Sequence, residues 1–255
     1  LEAAHGCHGG PWIVKPAVLF VGQGITVTDD LAHVPRDHGW LVQRYIDNPY
    51  LIDRKKFHLR LYVLVTGVAP PEAWLWGDGV VRFAPEAHQP GPAHFTREAM
   101  HVTNTLRFVD DPNMVVAGDA ADDGTGNVWS LEALARRLRE DGTAPLWPVL
   151  EDLAAGLLEV IEAAGVFADQ AALPRHALAP RLLGLDVLLD HDLRPWLLEV
   201  ERYPALGGGA AAVVDAVNRR LLKAMVELAL APSYDGRTVA ARERGFTAQF
   251  SRRLD

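Results

Sequence analysis

Two apolar runs flank a short polar break between residues 182 and 204, in the sequence LLGLDVLLDHDLRPWLLEVERYP. The break is Asp190–Asp192, and this pattern predicts a β-hairpin. Because side chains alternate across a strand, Glu199 and Glu201 share one face of the second strand. If the loop holds an even number of residues, Asp186 of the first strand falls on that same face.

Three carboxylates on one face of an otherwise apolar hairpin repel one another unless a cation holds them. Mg²⁺ suits such a site, because it takes oxygen ligands from one or two carboxylates together with nucleotide phosphates. A surface hairpin with a solvated carboxylate face would give the same pattern. The hairpin taken alone leaves both interpretations open.

Other short apolar stretches, bounded by turn residues, predict further strands at residues 12–14, 25–27, 40–46 and 55–65. Residues 74–83 predict two more short strands around Asp78-Gly79. Amphipathic patterns predict helices at residues 128–140, 147–164 and 213–230, with Ser130 as a candidate N-cap of the first. We expect the last of these helices to pack on the sheet.

A row of basic residues lies along one face of the strand at residues 55–65. Lys56, His58 and Arg60 alternate there, and Arg82 is expected beside them. Several basic groups aimed together from a core strand imply an anionic partner. The alternative is a sheet face that is exposed to solvent.

A lysine also follows the first predicted strand. Lys15 leaves that strand shortly before the turn Gly22-Gln23-Gly24, where Gly22 and Gly24 permit a close backbone approach. A lysine in this position can reach a phosphate group. A surface lysine that lays its aliphatic stem along apolar neighbours would show the same pattern.

Charge and composition limit the classes of function. The chain has 255 residues and a net charge of −8, from 25 basic and 33 acidic residues, which argues against a nucleic-acid-binding surface over the whole chain. No apolar run reaches the ~20 residues of a membrane span. The single cysteine, Cys7, excludes an internal disulfide framework and fits a reducing compartment. The chain begins at Leu1 rather than Met, and we expect that the N-terminal part of a longer protein is missing.

Seven motifs follow one another along the chain: WIVKP, GQGI, VQRYIDNPYLID with KKFHLRLYVLV, GDGVVRFAP, HVTN, LLGLDVLLD and PWLLEVERYP. In this order they resemble the tubulin–tyrosine ligase-like family of the ATP-grasp superfamily, from about Pro11 to Glu227. The resemblance implies an α+β ATP-grasp fold, with a largely antiparallel sheet covered by helices. It also implies domain bounds, with residues 1–46 as a remnant of the central lobe, 47–232 as the C-terminal lobe and 233–255 as a tail.

The function that the resemblance implies is an ATP- and Mg²⁺-dependent ligase that joins an amino acid to a protein carboxylate through an acyl-phosphate. The pair RLYVLV and VVRFAP is similar to the glutamate-adding members, ahead of those that add glycine or tyrosine. The implied acceptor is tubulin or another protein with an acidic tail, and the implied location is the cytoplasm, at microtubules or cilia. We expect a monomer that binds neither nucleic acid nor a membrane. The alternatives are a non-catalytic module that binds nucleotide or tubulin, and an ATP-grasp ligase that modifies another protein.

Carried over by position, the resemblance assigns three groups of residues. One group binds the nucleotide: Lys15 at the α- and β-phosphates, Gln43, Arg44, Tyr45 and Ile46 as a hinge around adenine that acts mostly through backbone groups, and Gly22, Gly24, Lys56 and His58. A second group faces the reacting phosphate and acyl groups: Arg60, Arg82, His101, Thr103 and Asn104. The third group would hold the metal: Asp186, Glu199 and Glu201.

Three positions depart from the pattern of the family. The loop at residues 17–21 is apolar, where the family usually has small polar residues. His58 stands where the family pattern KFDLR has aspartate, and Glu201 replaces the asparagine of the usual EVN. Glutamate still offers oxygen to a metal, but it adds a charge and a methylene group. These departures keep the non-catalytic alternative open.

Overall fold

The computed structural model describes residues 10–19, 21–68, 71–143, 145–166, 180–206, 211–235 and 246–248. The chain divides into two compact units. The first comprises Leu1–His58, Arg82–Val115 and Leu189–Arg194, and the second comprises Leu59–Val81, Val116–Leu188 and Pro195–Asp255. The lobe boundaries expected after residues 46 and 232 stay a prediction.

The first unit contains a three-stranded antiparallel sheet in the order β2-β1-β3. Its strands are β1 Trp12–Pro16, β2 Thr26–Thr28 and β3 Trp40–Arg44, which confirms three of the predicted strands. Ile13 pairs with Val27 on one side and with Gln43 on the other. Strand β1 buries Trp12 and Val14, which are two positions apart, so alternate positions of this strand share a buried face.

A tight hairpin follows in the same unit. Strand β4 Leu51–Ile52 pairs with the start of β5 Lys55–Val68. The two residues between them, Asp53 and Arg54, both have positive φ angles of 50° and 64°. Two successive positive φ angles are what a type I′ turn requires, and such a turn matches the twist of the strands that it joins.

The other strands and α-helices follow β5 along the chain. They are β6 Pro71–Trp76, β7 Val80–Ala87, α1 Glu98–His101, β8 Val128–Ser130, α2 Leu131–Glu140, α3 Trp147–Ala163, β9 Arg181–Leu189, β10 Pro195–Glu201, α4 Ala212–Asp235 and β11 Phe246–Ala248. Strands β6 and β7 confirm the two short strands predicted around Asp78-Gly79, and each of them pairs with β5. Strands β9 and β10 pair with each other, which confirms the predicted hairpin. The α+β class is confirmed as well.

The large sheet contains the strand order β10-β9-β5-β6-β11, with antiparallel pairing of β5 to both β9 and β6. In the second unit, β5 and β9 place Arg60 opposite Asp186. Helix α4 packs on this sheet as predicted. Two of its buried residues, Leu221 and Ala224, form one cluster with Tyr62, Leu64 and Trp76 of the sheet.

The helix predicted at residues 128–140 begins three residues later than expected. Residues Val128–Ser130 form the strand β8, and α2 starts at Leu131. Ser130 is the N-cap, as predicted, and its hydroxyl accepts a hydrogen bond from the backbone N–H of Ala133 at 3.0 Å. An N-cap residue has extended backbone angles, which is why the residues before it can belong to a strand. Over the part of the chain that the structure describes, no helix has both the length and the apolar character needed to cross a bilayer.

Gly79 allows a close backbone approach inside the second unit, and this gives a test of the fold. A Cβ atom at Gly79 would lie 2.6 Å from the carbonyl oxygen of Arg60, whereas one at Gly118 would meet nothing within 4 Å. Gly79→Ala is therefore expected to lower the free energy of unfolding by about 1–3 kcal/mol. Gly118→Ala, the matched control, should change it by less than about 0.5 kcal/mol. Urea denaturation of both variants measures this, and equal effects would contradict the packing described.

Candidate functional site

Two of the predicted nucleotide-binding residues lie together in the first unit. Lys15 is on β1 and Gln43 is on β3, at diagonal positions of the same antiparallel pair. The Lys15 ammonium donates a hydrogen bond to the Gln43 side-chain oxygen at 3.1 Å. The lysine is half-buried, so its aliphatic stem is covered while its charged end is held beside the predicted adenine hinge.

A second lysine of the same unit is connected to the same hinge. The Lys56 ammonium donates to the hydroxyl of Tyr45 at 3.2 Å, and that hydroxyl lies 2.8 Å from Nδ1 of His101. The other ring nitrogen of His101 lies 2.9 Å from the carbonyl oxygen of His94. Lys56, Tyr45 and His101 are all buried. The sequence predicted each of them for the site, but it gave no sign of this connection.

Burial changes the acid–base properties of this group. It lowers the pKa of the Lys56 ammonium to about 7, with a further decrease from the nearby charge of Lys15. Burial also lowers the pKa of His101 to about 4, against a hydrogen bond to the His94 backbone that acts in the opposite direction. The pKa of the Tyr45 hydroxyl is raised, by burial first and then by the charge of Asp47.

The segment HVTN contacts the row of basic residues at His58. Thr103 is buried, and its hydroxyl lies 2.6 Å from Nδ1 of His58. The imidazole at position 58 thus takes a hydrogen-bonding role where the family has a carboxylate. The Asn104 side chain accepts a hydrogen bond from Leu106 N–H at 3.2 Å, which caps the short 3₁₀ helix Thr105–Phe108. This contact holds the Asn104 side chain at the C-terminal end of the segment HVTN.

The glycine turn approaches the same segment. A Cβ atom at Gly22 would lie 2.9 Å from a methyl group of Val102, and one at Gly24 would lie 3.0 Å from Pro16. Both glycines have positive φ angles, 75° and 71°. Glycine is therefore required here for conformation and for space. The close approach that the sequence predicted is made to Val102, the neighbour of two predicted site residues.

In the second unit, one guanidinium holds two of the predicted metal ligands. Arg60 donates from Nε and Nη2 to the two oxygens of Asp186, at 2.5 and 3.0 Å, and from Nη1 to Glu201 at 2.9 Å. Arg60 and Asp186 are buried, whereas the Glu201 side chain is 40% exposed. Burial acts to lower the pKa of Arg60, but the hydrogen bond and charge of Asp186, aided by Glu201, raise it overall.

The outcome for the predicted metal ligands is mixed. The loop between β9 and β10 holds the five residues Asp190–Arg194, not the even number on which the shared face depended. Asp186 and Glu201 nevertheless meet at Arg60. The Glu199 side chain is exposed. Among the described residues, the group whose ligand atoms lie within 4.8 Å of one another is Asp190, His191 and Asp192 instead.

The hairpin carboxylates still suit Mg²⁺ chemically. They supply hard oxygen donors, which this ion prefers. Asp186, Glu199 and Glu201 carry three negative charges against one positive charge on Arg60, which leaves two to balance a divalent ion. By contrast, the Asp190 carboxylate accepts hydrogen bonds from the backbone N–H groups of Asp192 and Arg194, at 3.1 and 3.0 Å. Those bonds shape the loop.

The remaining predicted residues take different environments. Arg44 is exposed, Ile46 is half-buried, and Arg82 is half-buried on β7. Arg82 belongs to the first unit and Arg60 to the second, so their convergence on one anion stays a prediction. The basic row itself is buried: Lys56, His58 and Arg60 are 6%, 7% and 6% exposed, so the alternative of a solvent-exposed sheet face is wrong.

One residue was missed by the sequence interpretation. His88 is buried, and its ring packs edge-on against His101, with ring centroids 5.7 Å apart. Burial lowers its pKa, and the charge of Lys56 lowers it further. A single histidine at the end of an apolar strand carries no chemical pattern in the sequence. Only its position beside His101 reveals that it belongs to the site.

Comparison with known proteins adds to this geometry. A family model described as "Tubulin-tyrosine ligase family" matches residues 2–237. Tubulin polyglutamylase TTLL5 of Mus musculus is 37% identical over 199 residues, which cover 77% of this chain and 15% of that protein. Tubulin polyglutamylase ttll-5 of Caenorhabditis elegans is 31% identical over 236 residues, covering 91% of this chain and 32% of the relative. Tubulin monoglutamylase TTLL4 of Mus musculus is 31% identical over 221 residues, which cover 86% of this chain and 18% of that protein. The chain thus spans between 15% and 32% of the length of these relatives.

Proposed function

Because the chain belongs to the tubulin–tyrosine ligase family, we propose that it is an ATP- and Mg²⁺-dependent ligase that joins glutamate to a protein carboxylate. The proposed acceptor is tubulin, or another protein with an acidic tail, since the relatives are named for glutamate addition to tubulin. The setting that follows is the cytoplasm, at microtubules.

The observation that carries the proposal is the buried Lys56 ammonium beside Lys15. Burial disfavours the charge of Lys56, and the neighbouring charge of Lys15 opposes it further. A site that gathers two ammonium groups in this way becomes more favourable when an anion binds there. Nucleotide phosphates are anions of the right chemistry, and the hinge residue Gln43 already contacts Lys15.

The chemistry needs activation of an unreactive carboxylate. Phosphoryl transfer from ATP converts the carboxylate to an acyl-phosphate, and the amine of the incoming amino acid then displaces phosphate. The protein contributes position and charge to such a reaction, and no side-chain nucleophile is required. Lys15 and Lys56 would hold phosphates, while Arg60 and Arg82 would stabilise the charge on the transferred group.

Mg²⁺ would be held by Asp186, Glu199 and Glu201, and it would supply neutralisation of phosphate charge. Arg60 keeps two of these carboxylates in place through its hydrogen bonds. These contacts with Asp186 and Glu201 do not require a bound metal.

Removal of Lys15 tests the nucleotide site. Lys15→Ala is expected to weaken ATP binding by about 1.5–3 kcal/mol, the size of a hydrogen bond to a charged group. Lys223→Ala removes the same charge from an exposed position on α4 and serves as the matched control. Titration calorimetry of both variants with ATP and Mg²⁺ gives the comparison. An unchanged ATP affinity in Lys15→Ala would refute the assignment.

A further inference from the structure

The hydroxyl of Tyr45 occupies a central position in the first unit. It lies between the Lys56 ammonium, at 3.2 Å, and Nδ1 of His101, at 2.8 Å. The Lys56 ammonium also lies 4.4 Å from the centre of the Tyr45 ring. Tyr45 is 4% exposed, so water is excluded from these contacts. The family resemblance assigned to this residue a hinge role that is mostly one of its backbone groups.

The direction of each hydrogen bond follows from one fixed acceptor. The carbonyl oxygen of His94 can only accept, so Nε2 of His101 carries the proton. In the neutral ring, Nδ1 of His101 is then an acceptor, and the Tyr45 hydroxyl donates to it. The oxygen of Tyr45 is left to accept from Lys56. The result is a chain of three hydrogen bonds that runs from Lys56 through Tyr45 and His101 to the carbonyl of His94.

This chain accommodates one positive charge. A proton on Nδ1 of His101 would turn that nitrogen into a donor to the Tyr45 oxygen. The Tyr45 hydroxyl could then give its own proton to Lys56 only if Lys56 were a neutral amine. The Lys56 ammonium lies 4.4 Å from the centre of the Tyr45 ring, whose face attracts a cation, and this contact favours the charge on Lys56.

The charged and titratable groups that face the chain are Lys15, His88, His94 and Asp47. Lys15 lowers the pKa of Lys56, and His88 and His94 lower that of His101. Asp47 raises the pKa of Tyr45, which keeps the hydroxyl protonated. Lys56 therefore binds a proton at a pH of about 7, well above the pKa of about 4 of His101.

We propose that Tyr45 is a positioning residue of the nucleotide site, whose hydroxyl holds Lys56 in its charged form and His101 as the neutral Nε2–H tautomer. The role toward nucleotide rests on the proposed function, but the state of the chain itself does not. Tyr45 acts through Lys56: the hydroxyl oxygen stabilises the ammonium, and the ammonium is what an anionic phosphate would recognise.

The first test needs no nucleotide. The chain has four lysines, Lys15, Lys55, Lys56 and Lys223, so the ε-carbon signals of ¹³C-labelled lysine are few, and Lys56→Arg assigns the one of interest. We expect the Lys56 signal to titrate near pH 7 and, in Tyr45→Phe, at a pH lower by about one unit. Tyr50→Phe removes a hydroxyl from a ring that packs on Phe57 and should leave this midpoint unchanged. An unmoved midpoint in Tyr45→Phe would overturn the proposal.

A measurement on the unaltered chain keeps the proposal testable if Tyr45→Phe does not fold. Nitrogen-15 spectra of the histidines, with His101→Gln for assignment, should show His101 as the neutral Nε2–H tautomer at pH 6. A neutral Nδ1–H tautomer, or a charged ring at that pH, would contradict the chain of hydrogen bonds.

The second test connects the chain to the nucleotide. If the Lys56 pKa falls by one unit, Tyr45→Phe should weaken ATP binding about twofold at pH 6 and about tenfold at pH 8. The loss grows with pH because fewer Lys56 side chains keep their proton. A loss that is equal at both pH values would mean that Tyr45 acts only through packing. If the unaltered chain binds no ATP, the proposed function fails, and the two spectroscopic results still decide the state of the chain.

Discussion

Replacement of Arg60 by methionine is expected to lower the free energy of unfolding by about 3–5 kcal/mol. The change removes the two hydrogen bonds that Arg60 donates to the buried Asp186 carboxylate, together with the positive charge beside it. Glu201 contributes less to this loss, because its side chain is 40% exposed and can turn to water. Thermal or urea denaturation at pH 7 measures the effect.

A double variant separates the buried charge from simple packing. Arg60→Met with Asp186→Leu removes both charges and should recover most of the stability that the single variant loses. Arg60→Lys is the matched variant for geometry, since lysine keeps the charge but cannot form the paired bonds to one carboxylate. A small loss in Arg60→Met, under about 1 kcal/mol, would contradict the buried pair, because losses of that size are usual for exposed ion pairs.

The second large effect is expected from changes to the proposed Mg²⁺ ligands. Glu199→Gln removes one of the proposed Mg²⁺ ligands and should cost about 2–4 kcal/mol of transition-state stabilisation, a 30- to 1000-fold loss of ligation rate. Glu201→Asn introduces the residue usual in the family. Asparagine still offers an oxygen to Arg60 and to a metal, so this variant should bind Mg·ATP and keep or raise the rate.

The measurement is the ligation rate against Mg²⁺ concentration for both variants and the unaltered chain. Activity that disappears in Glu199→Gln and persists in Glu201→Asn supports a catalytic metal site at the hairpin. An unaltered chain without ligation, whose ATP binding is indifferent to Mg²⁺, would favour the non-catalytic alternative. In that case Glu201→Asn alone should not restore activity, because His58 and the loop at residues 17–21 would still differ from the family.

The strands could be predicted from the sequence because their apolar periods and turn residues are local. The strands β6 and β7, the hairpin β9/β10 and the packing face of α4 follow from patterns of at most a few tens of residues. The start of α2 was placed too early, because Val128–Ser130 is apolar enough to suit a helix or a strand. Only the cap at Ser130, with its extended backbone, decides the boundary.

The connections within the site could not be predicted, because they join distant positions. Arg60 and Asp186 are 126 residues apart, Arg60 and Glu201 are 141 apart, and Tyr45 and His101 are 56 apart. The resemblance named all of these residues, but it carried no information on which side chain bonds to which. It thus grouped Asp186 and Glu201 as metal ligands without showing that Arg60 already joins them.

The most direct test of the account is ligation itself. The chain, with ATP, Mg²⁺ and tubulin, is incubated with each labelled amino acid in turn, and the label on tubulin is counted. We expect glutamate to be incorporated ahead of glycine and tyrosine. This incorporation should depend on both ATP and Mg²⁺, and Glu199→Gln should strongly reduce it. No incorporation of any amino acid, or incorporation that continues without ATP, would contradict it.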